Sequence, residues 1–385
     1  MRTAPAPAQI DPASRRVELR PSATAMVWLA PDRPHEAVAF VSVRLGAGDV
    51  LVEVELATIC GSDVHTARGD RSAPAPLVLG HEQLGRVVEL GSGRPRAHDG
   101  SLLTVGDRVL WSIAASCGTC DRCTSGLERK CRTLRKYGHE RMSDGWALSG
   151  GFATHVHLVA GTPVIRLPED VPAAVLAPVS CGTATAWAAL AAAEAVQPAV
   201  QPAVQPLAGA RLLISGGGLI GLTAAAMATD RGAAVTLVEP DPARRALAER
   251  FGALALHPGE ATGAFDVVLE ASGARAAVTS ALERVEVGGV VVLVGSVFPT
   301  PPVPLDPELV VRRLLTLRGV HNYAAADLAA AAGWMIDRWR AWPFADLVGE
   351  MIALADLDAG LARAGSGSVR IGVRPAAMRR VPTRG

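Results

Sequence analysis

Gly216-Gly217-Gly218-Leu219-Ile220-Gly221 follows an apolar run, Arg211 to Ser215, and opens an Ala-rich stretch, Leu219 to Asp230. Strand, glycine turn and helix in that order leave the chain little choice, because the turn is tight only with glycines and folds the helix back onto the strand. Glu239 closes the next apolar run, Ala234 to Glu239. A G-x-G-x-x-G turn answered by an acid one strand later reads as a dinucleotide site. The pyrophosphate meets Gly216, Gly218, Leu219, Ile220 and Gly221 at the helix N-terminus, and Glu239 accepts the adenosine ribose hydroxyls. An acid there repels a 2′-phosphate, so NAD is expected over NADP; Arg244, counted with the cofactor-binding residues, and Arg245 weaken that preference. A glycine turn in a ligand-free sheet is the alternative.

The same alternation continues downstream. Strands are expected at 265–270, 290–294 and 315–319, with helices at 242–251, 274–285 and 307–314. Apolar strands alternating with helices specify an α/β fold with a doubly wound parallel sheet. The first half has a different period. Asp49 to Thr58 (DVLVEVELAT) alternates Val and Leu with acids, as a half-buried antiparallel strand does.

That strand runs into Cys60-Gly61-Ser62-Asp63-Val64-His65, which offers a thiolate, a hydroxyl, a carboxylate and an imidazole able to pass protons to water. Every other cysteine also falls into a zinc pattern. Cys117, Cys120, Cys123 and Cys131 lie within fifteen residues and can close a four-thiolate cage, which keeps no open position and is structural. In a chain with no secretion signal, disulfides or redox switching are the lesser readings of such a cluster. Cys60, His81 and Cys181 can surround a second zinc and leave one tetrahedral position for water or a substrate oxygen. Asp63 is placed to fix the His81 tautomer. Glu82 is an outer-shell group or a transient ligand. His155 and His157, two apart on a strand, read as structural.

A net charge of +1, with Lys130 and Lys136 the only lysines, gives no basic field for nucleic acid or an anionic membrane. No run of about 18 apolar residues is present, so no membrane span is expected, and the protein is placed in the cytoplasm. Met1 to Ala23, rich in Ala, Pro and Arg, is expected to be a disordered tail. The threefold Ala-Val-Gln-Pro repeat, within 195–207, is expected to be an irregular insertion, because proline every fourth residue cannot sit inside a helix.

Together these residues resemble the medium-chain, zinc-dependent alcohol dehydrogenase family. The Gly80-His81-Glu82-x2-Gly85 signature, the four-cysteine lobe, the glycine fingerprint and Cys181 stand in that family's order. The resemblance implies a GroES-like β-rich catalytic domain over 24–181, with its zinc lobe at about 115–133. It further implies a Rossmann domain over 182–320 and a return to the catalytic domain over 321–385. It implies two zinc ions per subunit, a small-molecule alcohol or carbonyl substrate, and a homodimer or homotetramer. Ser62 would take the substrate proton and relay it through the nicotinamide ribose to His65, while a hydride passes to NAD. Arg370 matches an arginine that reaches the cofactor pyrophosphate, and Ile113 a pocket-lining position. More narrowly, Leu134-Arg135-Lys136-Tyr137-Gly138-His139-Glu140 and Val320-His321-Asn322-Tyr323 look like alcohol dehydrogenases associated with phosphonate catabolism, and related sequences include cyclitol dehydrogenases. A polar, cyclitol-like or phosphonate-bearing alcohol is therefore the expected substrate. The alternatives are a reductase of an activated carbonyl or double bond on the same scaffold, and a non-catalytic nucleotide-binding protein.

Overall fold

In the computed structural model residues 14–196 and 207–375 are described. The Ala-Val-Gln-Pro repeat lies largely, and Met1 to Ala13 entirely, outside them. The chain divides into two compact units, 1–180 with 348–385, and 181–347.

The first unit begins with β1 (Arg15–Trp28), β2 (Glu36–Leu45), β3 (Val50–Thr58), α1 (Gly61–Ala67), β4 (Leu77–Val78) and β5 (Glu82–Leu90). There follow β6 (Arg108–Trp111), β7 (Ala114–Ala115), α2 (Asp121–Thr124), β8 (Arg135–Lys136), β9 (His155–Leu158), β10 (Val164–Arg166) and α3 (Ala173–Leu176). Residues 15–23 correct the expected disordered tail. They form the first part of β1, paired antiparallel with β2, because Val17 and Leu19 alternate inward and Ala23 and Ala25 continue the buried face past an irregularity around Pro21. The Arg and Pro content of this segment belongs to its exposed side and its kink.

The second unit holds α4 (Gly182–Glu194), β11 (Arg211–Ser215), α5 (Leu219–Asp230), β12 (Ala234–Val238), α6 (Pro242–Arg250), β13 (Leu254–Leu256) and β14 (Phe265–Glu270). It continues with α7 (Arg275–Arg284), β15 (Val285–Leu293), α8 (Pro307–Arg312), β16 (Thr316–Gly319) and α9 (Ala325–Arg338). Its strands pair in parallel in the order β13-β12-β11-β14-β15-β16, the order of a Rossmann sheet that reverses beside its first strand. Ile214, Leu237, Val268 and Val291 are fully buried, as sheets covered on both faces require.

The chain then adds β17 (Val348–Ala353), α10 (Leu357–Arg363) and β18 (Arg370–Arg374) to the first unit, completing a sheet ordered β10-β6-β5-β3-β18-β17 with β9 on β3. The return therefore comes at Val348 and not at 321. Leu328, Ala331, Ala332 and Met335 of α9 are buried, and α9 packs on α4. Trp334 and Arg338 also donate to Asp230 at the end of α5. That burial and those bonds hold 325–338 in the Rossmann unit.

Among the described residues no single helix is long and apolar enough to cross a membrane. The strand expected to be half-buried, β3, is almost wholly buried because β5, β9 and β18 all pair with it.

His157 is a structural residue in β9. Its Nε2 lies 2.8 Å from Asp49 Oδ2, and Asp49 also accepts from the backbone N–H groups of Gly46 and Ala160. Burial works against the Asp49 charge, but His157 and these donors outweigh it and hold the carboxyl below its ordinary value. A carboxyl depressed on folding adds stability that is complete above its unfolded pKa, about 3.9, and is lost as pH falls through the lower folded value. Asp49→Asn should therefore cost about 1–3 kcal/mol at pH 7 in denaturant melts. The gap to wild type should close below pH about 4; a gap that persists there would refute the ionic origin.

Candidate metal and cofactor sites

The loop between β7 and β8 draws four thiols together. Cys117 and Cys123 sulfurs lie 3.9 Å apart, Cys120 and Cys123 3.5 Å, Cys120 and Cys131 3.9 Å, and Cys117 and Cys131 3.5 Å. A regular tetrahedron with Zn–S bonds of about 2.3 Å has edges of about 3.8 Å, so the spacing of these four sulfurs fits the corners of a zinc thiolate cage. Backbone N–H groups of Thr119 and Cys120 aim at Cys117 and draw its thiol down to about 5, as a metal-binding thiolate needs. None of the six cysteines is in a disulfide.

The second cluster is built on the end of β3. Cys60 caps α1, and Asp63 in the first turn of that helix accepts from the Cys60 N–H at 2.9 Å and from the Gly80 N–H at 3.2 Å. Asp63 is fully buried, and its Oδ1 lies 3.2 Å from His81 Nδ1, a close charge contact rather than a well-aligned hydrogen bond. On its other edge, His81 Nε2 is 3.2 Å from the Ser62 hydroxyl. Burial works to lower the His81 pKa, yet Asp63 and Cys60 outweigh it and push it up to about 10. Ser180 donates to the His81 carbonyl at 3.2 Å, and the next residue is Cys181. One donor atom each from Cys60, His81 and Cys181 lie within 4.8 Å of one another. Two thiols and an imidazole backed by a carboxylate suit zinc with an open position.

Glu82, the first residue of β5, faces away from solvent and is held by three hydrogen bonds from two partners. Thr58 Oγ1 donates at 2.6 Å, and Arg370 donates through Nε at 2.7 Å and Nη2 at 2.9 Å. Burial raises the Glu82 pKa and Arg370 opposes it. The Arg370 guanidinium, which the family resemblance assigns to a pyrophosphate, is thus anchored on Glu82 and lies 3.7 Å from Cys60 Sγ. His65 in α1 is half-exposed, with Nδ1 3.1 Å from Asp70 Oδ2.

In the second unit the glycine turn joins β11 to α5. Gly216 has φ +109°, and a Cβ on Gly221 would meet the Gly216 carbonyl at 1.9 Å, so both places demand glycine. A Cβ on Gly218 would meet nothing within 4 Å, and the N-terminus of α5 has no side-chain cap, which leaves its N–H groups open to an anion. Leu219 and Ile220 open the helix. Glu239 accepts from the Gly217 N–H at 2.7 Å and the Asp241 N–H at 3.0 Å. Arg244 lies in the first turn of α6, while the Arg245 guanidinium is turned onto the carbonyls of Glu239 and Pro240. These features fit a dinucleotide.

Sequence reading passed over three neighbours of the metal cluster. Thr58 and Ser180 are ordinary hydroxyls in sequence, and His139 sits in a loop with its ring centroid 4.8 Å from that of His81. Only the unusual run Tyr137-Gly138-His139-Glu140 signalled the last.

Residues 46–169 match the alcohol dehydrogenase GroES-like domain, and 220–337 match the zinc-binding dehydrogenase domain. The L-threonine 3-dehydrogenase of Streptomyces coelicolor is 32% identical over 77% of this chain and 81% of its own length. The enzyme of the same name from Anaeromyxobacter sp. strain K is 31% identical over 77% and 80%. Among solved structures, an alcohol dehydrogenase from Thermotoga maritima superposes with TM-score 0.84 and 28% identity, covering 92% of this chain and all of that one. A Sinorhizobium meliloti protein described as a zinc-binding dehydrogenase, solved bound to NADP, gives 0.78 and 26% over 92% and 99%.

Metal analysis of the purified chain should find about two zinc ions. Cys60→Ser should lose one and leave the melting temperature nearly unchanged, whereas Cys120→Ser should lose the other and lower it. Retention of both ions in Cys60→Ser would remove Cys60 from the ligand set.

Proposed function

The chain belongs to the zinc-dependent medium-chain alcohol dehydrogenases, and from that premise we propose that it oxidises a polar alcohol, or reduces the matching carbonyl, with NAD as the hydride acceptor. The reading rests on the cluster of Cys60, His81 and Cys181 with the Ser62 hydroxyl 3.2 Å from the His81 ring. Zinc held by those three ligands would supply Lewis acidity to an alcohol oxygen, and a nicotinamide cofactor held by the 216–221 turn would supply the hydride acceptor.

The chain's own residues handle the proton. Ser62 accepts it from the alcohol, and His65 at the exposed end of α1 passes it to solvent. Asp63 holds His81 in orientation, and Glu82 holds the Arg370 guanidinium beside the Cys60 sulfur. Glu239 sets the cofactor preference. Its carboxylate would face an adenosine 2′-phosphate, while the Arg245 guanidinium is engaged by backbone carbonyls. The substrate is a cyclitol-like or phosphonate-bearing alcohol, or an amino alcohol such as the threonine named for the curated relatives.

We assign the protein to the cytoplasm, where free clustered thiols persist. We also assign it a homo-oligomeric state. β16 ends the Rossmann sheet, and Val311, Leu314 and Leu317 beside it are 71%, 72% and 37% exposed, an apolar open edge of the kind a second copy covers.

Three measurements test this. Nicotinamide absorbance across cyclitols, hydroxyalkylphosphonates, L-threonine and simple alcohols should show selective turnover, with kcat/KM at least about tenfold higher for NAD than for NADP. Glu239→Ala should narrow that ratio, and an unchanged ratio would clear Glu239 of the role. Leu317→Lys should shift the sedimentation coefficient towards a monomer; an unchanged coefficient would place the contact elsewhere.

A further inference from the structure

His35, the residue before β2, is tied to α10 of the same unit. Its backbone N–H donates to Asp358 Oδ2 at 3.0 Å, and its ring Nδ1 lies 2.6 Å from Asp358 Oδ1. One carboxylate grips both main chain and ring. Because a carboxylate only accepts, Nδ1 is the nitrogen that carries the proton, and the neutral ring presents Nε2 as an acceptor. That second nitrogen has no answer within the protein. The side chain is 1% exposed, and among the described residues Nε2 is buried with no hydrogen-bond partner. The latch to α10 accounts for Nδ1 and the N–H, and it leaves a buried acceptor that costs free energy until something donates to it.

The same histidine borders a cavity of about 710 Å³, within the size range of small-molecule sites. The other walls are mostly apolar and include Met26 of β1, Ala37 of β2, Met351 and Ile352 of β17, and Leu354. Met26 and Ala37 stand directly opposite each other in the β1–β2 ladder, so both side chains are on one face. Met351 lies across Gly372 of β18, where a Cβ would meet its sulfur at 2.3 Å. Two thioethers, polarizable and rotatable, favour an aromatic occupant. Arg374, exposed at the end of β18, also borders the cavity and favours an acidic hydroxyl over an aliphatic one.

We infer that this cavity is a second small-molecule site, for a phenol whose hydroxyl donates to His35 Nε2 while its ring lies among the two methionines. Asp358 is a positioning residue that sets which ring nitrogen faces the ligand. None of these residues belongs to the metal cluster or the glycine turn, so the site is separate from those described above. A phenol has no hydrogen on the carbon that bears its hydroxyl and cannot give up a hydride there. It is a ligand of this protein and not a substrate.

The test is calorimetric titration of the zinc-loaded full chain with para-propylphenol and with para-propylanisole, in which the hydroxyl is methylated. The phenol should bind with Kd of about 1 mM or tighter. It should bind at least about tenfold more tightly than the ether, which leaves Nε2 unpaired. His35→Phe should bind the two alike. Ala37→Trp, at an exposed position of β2, should weaken the phenol at least about tenfold by filling the cavity while the histidine stays in place. Cys60→Ser should titrate as wild type, which separates this site from phenol held at the metal cluster. Equal affinities for phenol and ether in the wild type would mean that water serves Nε2, and would overturn the inference. So would the absence of saturable binding, a phenol preference that survives His35→Phe, or one that is lost in Cys60→Ser. If His35→Phe does not fold, Ala37→Trp decides, because it leaves the latch to Asp358 whole: unchanged phenol affinity there refutes the site, and weakened affinity upholds it.

Discussion

A single buried carboxylate, Asp63, ties Cys60 and His81 together in the first unit. It accepts from the N–H groups of Cys60 and Gly80 and stands beside His81, so one side chain joins the start of α1 to the loop before β5. The pairing of Thr58 with Glu82 in the β3–β5 ladder brings the two segments together, and Asp63 extends that contact to the residues after β3 and before β5. A fully buried charge is costly unless hydrogen-bonded and paired, and Asp63 is both. Cys60 and His81 keep their spacing because the carboxylate that holds them cannot relax towards solvent.

Glycine supplies the steric counterpart. Gly80 and Gly138 let two loops approach at backbone distance, as Gly216 and Gly221 let α5 close on β11. In both units a reactive or binding group follows a glycine that no other residue could replace without moving backbone. The sites are therefore placed by main chain, and their side chains need few rotamer choices.

How much of this was legible follows from how local each signal is. The glycine turn, its answering acid and the four-cysteine lobe lie within short windows, where spacing alone fixes geometry. Residues 15–23 misled because Arg, Pro and Ala dominate their composition, while two alternating positions, Val17 and Leu19, carry the strand. Residues 321–347 misled because the amphipathic pattern of α9 says that one face is buried without saying on which sheet; the bonds to Asp230 decide it. The partners of Glu82 were beyond reach for a related reason: Arg370 lies 288 residues away in sequence, and nothing near either residue marks the pairing. His139 was visible as an odd motif, but its place beside His81 depends on a turn and a backbone contact that periodicity cannot express.

The charges at the metal cluster explain why the same residues can wait for an ion and then hold it. Burial works against a charge on His81, but Asp63 and Cys60 outweigh it and favour the protonated ring beside the Asp63 carboxylate. Metal binding requires the neutral imidazole, so an ion held there would take the place of a proton, and the buried carboxylate would keep a positive neighbour. Glu82 has its own cationic partner in Arg370, which opposes the upward push of burial on its pKa. The two pairs differ in role: an entering ion would exchange with the proton of one, while the other keeps the Arg370 cation within 3.7 Å of the Cys60 sulfur. A nearby guanidinium favours thiolate over thiol. The cluster is thus prepared for a divalent ion by groups that are not its ligands, which is where a reading of ligand spacing alone stops.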